Sequence, residues 1–175
     1  MDVLKLMQAT GATKPDATKF ATIIDPILIE YGITTPLRIA AFLAQVGHES
    51  GGLHYLREIW GPTATQTRYE GRVDLGNTVA GDGKKFMGRG LLQTTGRANY
   101  TKAGKALSLD LLTHPELLEV PENALKSACQ FWKDNNLNEL ADSEKFKDLT
   151  KKINGGVNGL AERTALYEKA KTLFA

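Results

Sequence analysis

Residues 36–52 read PLRIAAFLAQVGHESGG. Their apolar side chains recur at helical spacing, and Thr35-Pro36 is a typical helix start, because Thr can cap the first turn and Pro is tolerated at the first helical position. A run this apolar must be nearly buried, and Gly51-Gly52 then interrupts the helix. The segment therefore predicts a buried helix with the carboxyl group of Glu49 at its C-terminal end.

Helical periodicity also covers other stretches, at about 16–31, 122–134, 144–153 and 160–174. Pro121 resembles a second helix start, Gly32 and Gly155 stand where helices should stop, and Asn158 is a candidate N-cap. Between about 61 and 96 the pattern fades into a long irregular loop or small hairpin. We therefore expect a mainly α fold, a single domain over residues 1–175.

Composition restricts the possible classes of protein. Apolar residues make up 42% and charged residues 24%, which excludes a disordered or fibrous chain. The net charge of +2 is too small to indicate nucleic-acid binding, but residues 57–105 hold nine basic and four acidic side chains, a net +5. That stretch either attracts an anionic polymer or forms an ordinary solvated surface.

The chain has one cysteine, Cys129, so no internal disulfide can form. This favours synthesis in a reducing cytoplasm. The N-terminus has no basic segment leading into an apolar one, and no stretch approaches the length of a membrane span. We expect no stable membrane insertion and a need for help in reaching any target outside the cytoplasm.

Glu49 is the first candidate for catalysis. Burial and a position at the negative end of the helix dipole should both raise the pKa of its carboxyl group. A carboxylic acid that stays protonated near neutral pH can donate a proton to a glycosidic oxygen. The alternative is a Glu in a solvated last turn.

Glu58 is the second candidate. On an unbroken helix, nine residues would turn the two carboxylates to opposite sides, but the Gly51-Gly52 break removes that objection. Two carboxyls about 6.5 to 9.5 Å apart give inversion at the sugar carbon, and about 5 to 5.5 Å gives retention. The alternative is a surface ion pair with Arg57 or Arg68.

Two further segments are rich in Gly and in uncharged hydrogen-bonding side chains. Residues 88–100 read GRGLLQTTGRANY, a composition that suits a sugar-binding groove or simply a turn. Residues 151–159 read KKINGGVNG, which helix capping explains almost fully.

Together and in this order, these motifs resemble glycoside hydrolase family 19, the chitinases with their endolysin relatives in bacteriophages. The matching pieces are His48-Glu49, Glu58, residues 86–95 followed by Asn99-Tyr100, and residues 153–156. The resemblance implies a lysozyme-like helical domain, with the irregular region beside an active-site cleft. It also implies single displacement with inversion.

By the same resemblance, Glu49 is the general acid, Glu58 the general base, and the Thr95 hydroxyl helps to hold the attacking water. The implied substrate-binding or bracing residues are His48, Arg89, Gln93, Asn99, Tyr100, Asn154 and Arg163. Arg163 resembles the family arginine that organises the acid, although Asn158 stands where many chitinases place an acidic partner for it.

One cysteine and a compact build make the chain resemble a phage or prophage endolysin more than a secreted chitinase. We therefore expect a monomer that hydrolyses the β-1,4 glycan of bacterial peptidoglycan. It would reside in the host cytoplasm until a holin-like permeabilising protein admits it to the wall.

Three alternatives remain. A chitinase would act on chitin, a lytic transglycosylase would need only one carboxylate, and a wall-binding module would have no turnover. We expect no cofactor and no metal, because His48, His54 and His114 lack carboxylate or Cys partners at recurrent ligand spacings.

Overall fold

The computed structural model describes all 175 residues, and α-helices dominate it. In chain order they are α1 (Val3–Thr10), α2 (Lys14–Ala21), α3 (Ile24–Glu30), α4 (Pro36–Glu49), α5 (Ala64–Thr67), α6 (Asp82–Lys85), α7 (Arg97–Leu107), α8 (Pro121–Asp134), α9 (Leu137–Asp142), α10 (Phe146–Asn154) and α11 (Leu160–Phe174). Two 3₁₀ turns cover Val73–Leu75 and Pro115–Glu119. The chain divides into two compact units, which we call unit 1 (residues 1–54 and 128–175) and unit 2 (residues 55–127).

Helix α4 is the centre of unit 1. The Thr35 hydroxyl caps its first turn by accepting from the Arg38 amide, and every residue from Ala40 to Gly47 is buried. Gly47 allows a close approach to α1, since a Cβ there would lie 2.5 Å from the carbonyl oxygen of Thr10. Helix α11 makes the most extensive contact with α4, and α1 packs on both of them. The prediction of a buried helix over residues 36–49 is confirmed.

Unit 2 has a smaller core of its own. Phe86, Tyr100, Leu111 and Leu118 form it, with leucines from residues 107–117 packed around them. Strand pairing is limited to two isolated bridges, Arg57 with Arg89 and Arg89 with Thr94. The backbone of Arg89 and Thr94 exchanges hydrogen bonds of 3.0 and 2.7 Å, which closes a tight reversal of the chain.

Several local predictions need correction. The helical stretch predicted at 16–31 is two helices, α2 and α3, because the chain turns at Thr22-Ile23. Residues 61–96 are not one long loop, since α5, α6 and a 3₁₀ turn lie within them, and the hairpin reduces to the reversal at residues 89–94. The N-cap of α11 is Gly159 rather than Asn158, whose amide donates to the Asn154 side chain at 3.3 Å.

No helix has both the length and the apolar character that crossing a membrane requires.

Candidate active site

Glu49 is the last residue of α4, and its side chain is 22% exposed. One of its carboxylate oxygens accepts a hydrogen bond of 2.5 Å from the Arg163 guanidinium on α11. The sequence around Glu49 indicates only burial and the helix end as influences on its carboxyl group, and Arg163 enters through the family resemblance alone. The paired guanidinium adds an opposing effect, because a cation in contact stabilises the negative carboxylate.

Arg163 is a buried cation, since only 1% of its side chain is exposed. Besides Glu49, it donates to the Gln45 side-chain oxygen at 2.6 Å and to the Asn158 carbonyl at 2.9 Å. The Asn158 side chain is not among these partners. Arg163 has almost no exposed surface with which to touch a sugar, and its position behind Glu49 suits the acid-organising role that the resemblance implies.

His48 lies next to Glu49 and is half-buried. Its Nδ1 is 3.2 Å from a carboxylate oxygen of Glu162, on α11. Gly159 passes directly against the His48 ring, so close that a Cβ at that position would overlap it. His48 is therefore fixed from one side by the start of α11.

Asn154 is the last residue of α10, and Gly155 caps that helix in the left-handed conformation, φ 78°. The Asn154 side chain is half-buried and its oxygen accepts from the Asn158 amide. Its side-chain nitrogen remains available as a donor for a sugar oxygen.

Glu58 belongs to unit 2 and lies among hydrogen-bond donors. Its Oε1 accepts from the Gly88 amide at 2.7 Å, and its Oε2 from the Gln66 side chain at 3.2 Å and the Tyr69 hydroxyl at 3.4 Å. Burial, followed by the Glu58 charge, raises the pKa of Tyr69, so this hydroxyl stays a donor at neutral pH. The Glu58 carboxyl oxygens thus accept from three separate donors.

Gln93 and Thr95 lie beside the same glycine that holds Glu58. A Cβ on Gly88 would be 3.2 Å from the Thr95 hydroxyl and would overlap the Gln93 amide. Gln93 adopts the left-handed backbone region, φ 53°, which is costly for a residue with a side chain. Backbone strain of this kind is concentrated at functional sites. The structure therefore groups Glu58, Gly88, Gln93 and Thr95.

Arg89 and Tyr100 support this group from within the unit 2 core. Arg89 donates to Glu119 at 2.8 Å, to the Lys85 carbonyl at 2.8 Å and to the Tyr100 hydroxyl at 3.0 Å. Burial raises the pKa of Tyr100 to about 12, and its hydroxyl donates to the Met87 carbonyl.

The position of Arg89 suits the bracing role predicted for it, whereas the prediction that Tyr100 binds sugar needs correction. Tyr100 is fully buried and Arg89 is 7% exposed, and the polar atoms of both are occupied by protein partners. The Tyr100 ring lines a cavity of about 440 Å³ whose other walls come from residues between 101 and 112, which the sequence did not single out. Asn99, in contrast, is exposed, and its side chain donates to the Thr95 carbonyl at 2.8 Å.

Among the residues that sequence reasoning missed, Gln45, Gln66 and Tyr69 hydrogen-bond predicted site residues, and Thr150 holds Gln45. Two of them carried a usable signal. Gln45 is a polar residue in the middle of a buried helix, which requires a partner. Gln66 stands three residues after Thr63, the spacing of a capping box, and the structure forms that box.

No group of three or more His, Cys, Asp or Glu side chains is arranged to hold a metal ion.

Comparison with known proteins identifies the family. The family model described as chitinase class I, glycoside hydrolase family 19, matches residues 33–142. A glycosyl hydrolase family 19 domain-containing protein of Haemophilus influenzae is 36% identical over 166 residues, covering 78% of this chain and 80% of that protein. The chain belongs to glycoside hydrolase family 19.

Solved structures and plant relatives agree with this assignment. A bacterial family 19 chitinase superposes with a TM-score of 0.75 at 26% identity, over 99% of this chain and 94% of that one. Chitinase C of Streptomyces griseus gives a TM-score of 0.73 at 23% identity, covering 99% of this chain and 76% of that one, and supports the fold alone. An endochitinase of Arabidopsis thaliana is 38% identical over 128 residues. The match covers 71% of this chain but only 41% of the length of that endochitinase.

Family 19 membership makes the protein a glycoside hydrolase with the mainly α, lysozyme-like fold expected from the sequence. The stretch that matches the family model includes Glu49, Glu58 and the segment from Arg89 to Tyr100. Asn154 and Arg163 lie beyond it.

Proposed function

We propose that this family 19 enzyme hydrolyses β-1,4 bonds of bacterial peptidoglycan by single displacement with inversion. The observation that carries the mechanism is the contrast between two carboxylates. Glu49 contacts one buried guanidinium, whereas Glu58 accepts from a backbone amide, a side-chain amide and a phenol. Two carboxyl groups with different neighbours can differ in protonation at the same pH, as a pair of a general acid and a general base requires.

In the proposed reaction, protonated Glu49 gives its proton to the glycosidic oxygen while the bond from that oxygen to the sugar carbon breaks. The electrons of the bond remain with the leaving oxygen, and Glu49 becomes a carboxylate. Arg163 stabilises the charge that develops on it. Arg163 therefore favours the donation step rather than the resting acid.

A water molecule supplies the new bond to the sugar carbon, and Glu58 takes its proton. The Tyr69 contact with Oε2 is long, at 3.4 Å, so this oxygen retains capacity to accept from water. The Thr95 hydroxyl makes only a 3.3 Å contact with the Gln93 carbonyl, which leaves its lone pairs for the same water. Inversion requires a carboxyl separation of about 6.5 to 9.5 Å.

Surface charge supports peptidoglycan as the substrate. Within residues 57–105, the exposed basic side chains include Arg68, Lys84 and Lys105. Peptide stems of peptidoglycan are anionic, and a positive surface raises their local concentration. Asn99 and Asn154 would serve the sugar hydroxyl and N-acetyl groups.

Chitin is the second candidate substrate, because relatives of this chain include proteins named endochitinases. Parallel assays on purified peptidoglycan and on soluble chitin oligomers separate the two. Cleavage confined to chitin would reject the peptidoglycan proposal while leaving the acid and base assignment in place.

Glu49→Gln and Glu58→Gln should each lower kcat by at least about 100-fold, because each removes a proton-transfer group. Glu116→Gln, an exposed carboxylate paired with His114, is the matched control and should retain full activity. Far-ultraviolet circular dichroism checks that each variant folds. Full activity in Glu58→Gln with anhydro-sugar products would indicate a lytic transglycosylase instead.

The form of the first product tests inversion directly. Proton NMR during early turnover should show the α-anomer at the new reducing end. A β-anomer as first product would contradict single displacement.

We propose that the enzyme works as a monomer on a wall outside the inner membrane, reached from the cytoplasm with the aid of a permeabilising protein. Turbidity of Gram-negative cells should fall after chloroform permeabilisation and stay constant in intact cells. A non-catalytic wall-binding module would leave turbidity unchanged in both.

A further inference from the structure

We propose that Gln45 is a positioning residue that sets how strongly Arg163 acts on Glu49. The inference rests on the proposed role of Glu49 as general acid. It comes from a buried chain of hydrogen bonds within unit 1 that links α4, α10 and α11, in which Gln45 is the only neutral side chain in contact with the Arg163 guanidinium.

The direction of this chain is fixed by chemistry. A guanidinium can only donate, so the Gln45 oxygen must face Arg163, at 2.6 Å. The Gln45 nitrogen then faces the Thr150 hydroxyl, to which it donates at 2.8 Å. That hydroxyl donates in turn to the Phe146 carbonyl at 3.0 Å. Gln45 and Thr150 are both fully buried, so neither amide atom of Gln45 can exchange its partner for solvent.

The neutrality of Gln45 determines where the charge of Arg163 acts. The guanidinium has one carboxylate partner, Glu49, and its other partners are the Gln45 amide and the Asn158 carbonyl. An acidic residue at position 45 would compete for the guanidinium. A residue without an acceptor would leave more of the guanidinium's interaction for Glu49.

The charged surroundings of Glu49 leave Arg163 as the principal influence. The helices with the most extensive contacts to α4 are α1, α9 and α11, and α10 reaches α4 through Thr150. The titratable groups of these helices, with the N-cap of α1, are Asp2, Lys5, Glu139, Asp142, Lys147, Asp148, Lys151, Lys152, Glu162, Arg163, Tyr167, Glu168, Lys169 and Lys171. Of these, Arg163 forms the ion pair with Glu49.

Several of the other charged groups have partners of their own. Glu162 contacts His48, which lies next to Glu49. Asp142 pairs with Arg38 at the start of α4, and Lys5 lies over the Phe174 ring. His48 and its Glu162 partner are unchanged in every Gln45 variant.

Opposite pH shifts in two variants test the proposal. In Gln45→Glu, the new carboxylate shares the Arg163 guanidinium, so Glu49 stays protonated to higher pH. The alkaline limb of the kcat profile should therefore move to higher pH by about one unit. In Gln45→Met, the undivided guanidinium favours ionised Glu49, so the limb should move to lower pH. KM should change little in both, because Gln45 is buried and touches no substrate.

A milder variant guards against failure to fold. Thr150→Val keeps the side-chain volume but removes the hydroxyl that orients the Gln45 amide, and it should lower kcat several-fold with KM unchanged. Gln8→Glu, on α1, adds the same charge as Gln45→Glu and should keep the wild-type profile. Carbon-13 NMR of the Glu49 carboxyl, assigned by comparison with Glu49→Gln, reports the ionisation without any substrate.

The two proposals fail in different ways. An active Glu49→Gln enzyme would overturn the acid assignment, whatever the Gln45 variants do. An inactive Glu49→Gln enzyme, together with unshifted profiles and an unshifted Glu49 resonance in folded Gln45→Glu and Gln45→Met, would overturn the role of Gln45 alone. Shifts of the same sign in both variants would also overturn it.

Discussion

At the scale of single residues, two glycines leave space that neighbouring candidate site side chains occupy. Gly88 lies against Gln93 and Thr95 while its amide holds Glu58, and Gly159 lies against the His48 ring. Both glycines occupy segments that the sequence marked as sugar-binding or capping motifs. The missing side chain of each glycine, and not only its conformational freedom, makes room for these neighbours.

Gly159→Ala tests this use of space. The new methyl group would displace the His48 ring next to Glu49, and φ of 69° adds the cost of a left-handed alanine, about 1 kcal/mol. We expect a loss of about 2 kcal/mol or more in the free energy of unfolding, measured in urea, and a clear fall in kcat.

Gly71→Ala is the matched comparison, because φ is 70° and nothing lies within 4 Å of the added Cβ. Gly71→Ala should lower the free energy of unfolding by the cost of a left-handed alanine, but it should leave kcat unchanged. Equal effects of the two substitutions on activity would mean that the His48 ring position is unimportant.

At the scale of elements, α2 is tied to the turn after α4 through one carboxylate. Asp16 accepts from Lys19 at 2.8 Å and from the Thr13 hydroxyl at 2.8 Å, and it contacts His54 Nδ1 at 2.9 Å. The hydrogen bond from Lys19, with those from His54 and Thr13, outweighs burial and lowers the pKa of Asp16 to about 2. The start of α2 is thereby joined to the segment that follows Glu49.

This depressed pKa predicts a pH dependence of stability. Because the folded-state pKa lies below the unfolded value, the contribution is fully present above pH about 4 and is lost as the pH falls towards 2. Asp16→Asn should therefore lower the free energy of unfolding by about 1 to 2 kcal/mol at pH 7. The difference between the two proteins should shrink in urea titrations at pH 3. A constant difference across this range would show that the charge of Asp16 does not contribute.

The elements also show what sequence alone can and cannot predict. The boundaries of α4 and the end of α10 follow from Thr35-Pro36 and Gly155, because capping is local and readable. Helices α1, α7 and α9 were not predicted, since α1 and α9 are short and α7 contains a glycine within a segment interpreted as a groove. Short helices depend on tertiary packing more than on their own periodicity.

The candidate site divides in the same way. Glu49, Glu58 and Thr95 could be selected because they lie in ordered motifs. The hydrogen-bonded residues behind Arg163 could not be selected, because Gln45 and Thr150 are 105 residues apart and meet only through the packing of α4 with α10. Tyr100 was assigned to the sugar-binding surface although it is fully buried, since a motif gives residue identity but not burial.

At the scale of the whole molecule, charge is distributed unevenly along the chain, and the excess of basic residues falls within unit 2 at residues 57–105. Some of these side chains are neutralised locally, as Arg97 is by Asp82 and Arg72 by Asp74. Other basic side chains of this stretch remain exposed and can attract the proposed anionic substrate.

Reversing two of the exposed charges should separate wall binding from chemistry. Arg68→Glu with Lys84→Glu should raise the half-saturating peptidoglycan concentration by about three- to tenfold at low salt, with little effect near 1 M salt, because screening removes surface attraction. Hydrolysis of neutral chitin oligomers should be unchanged.

Lys147→Glu with Lys169→Glu is the control, since it makes the same change in net charge on exposed positions of unit 1. If both double variants weaken wall hydrolysis equally, net charge rather than the basic surface of unit 2 attracts the substrate.

The ion pair between Glu49 and Arg163 joins residues 114 positions apart. During translation, the ribosome releases the carboxylate long before it releases the guanidinium, and α4 must wait for α11 to cover it. A nascent chain that has not passed residue 163 thus carries both proposed catalytic carboxylates without the cation proposed to promote proton donation. The order of synthesis therefore makes this ion pair one of the last contacts of unit 1 to form.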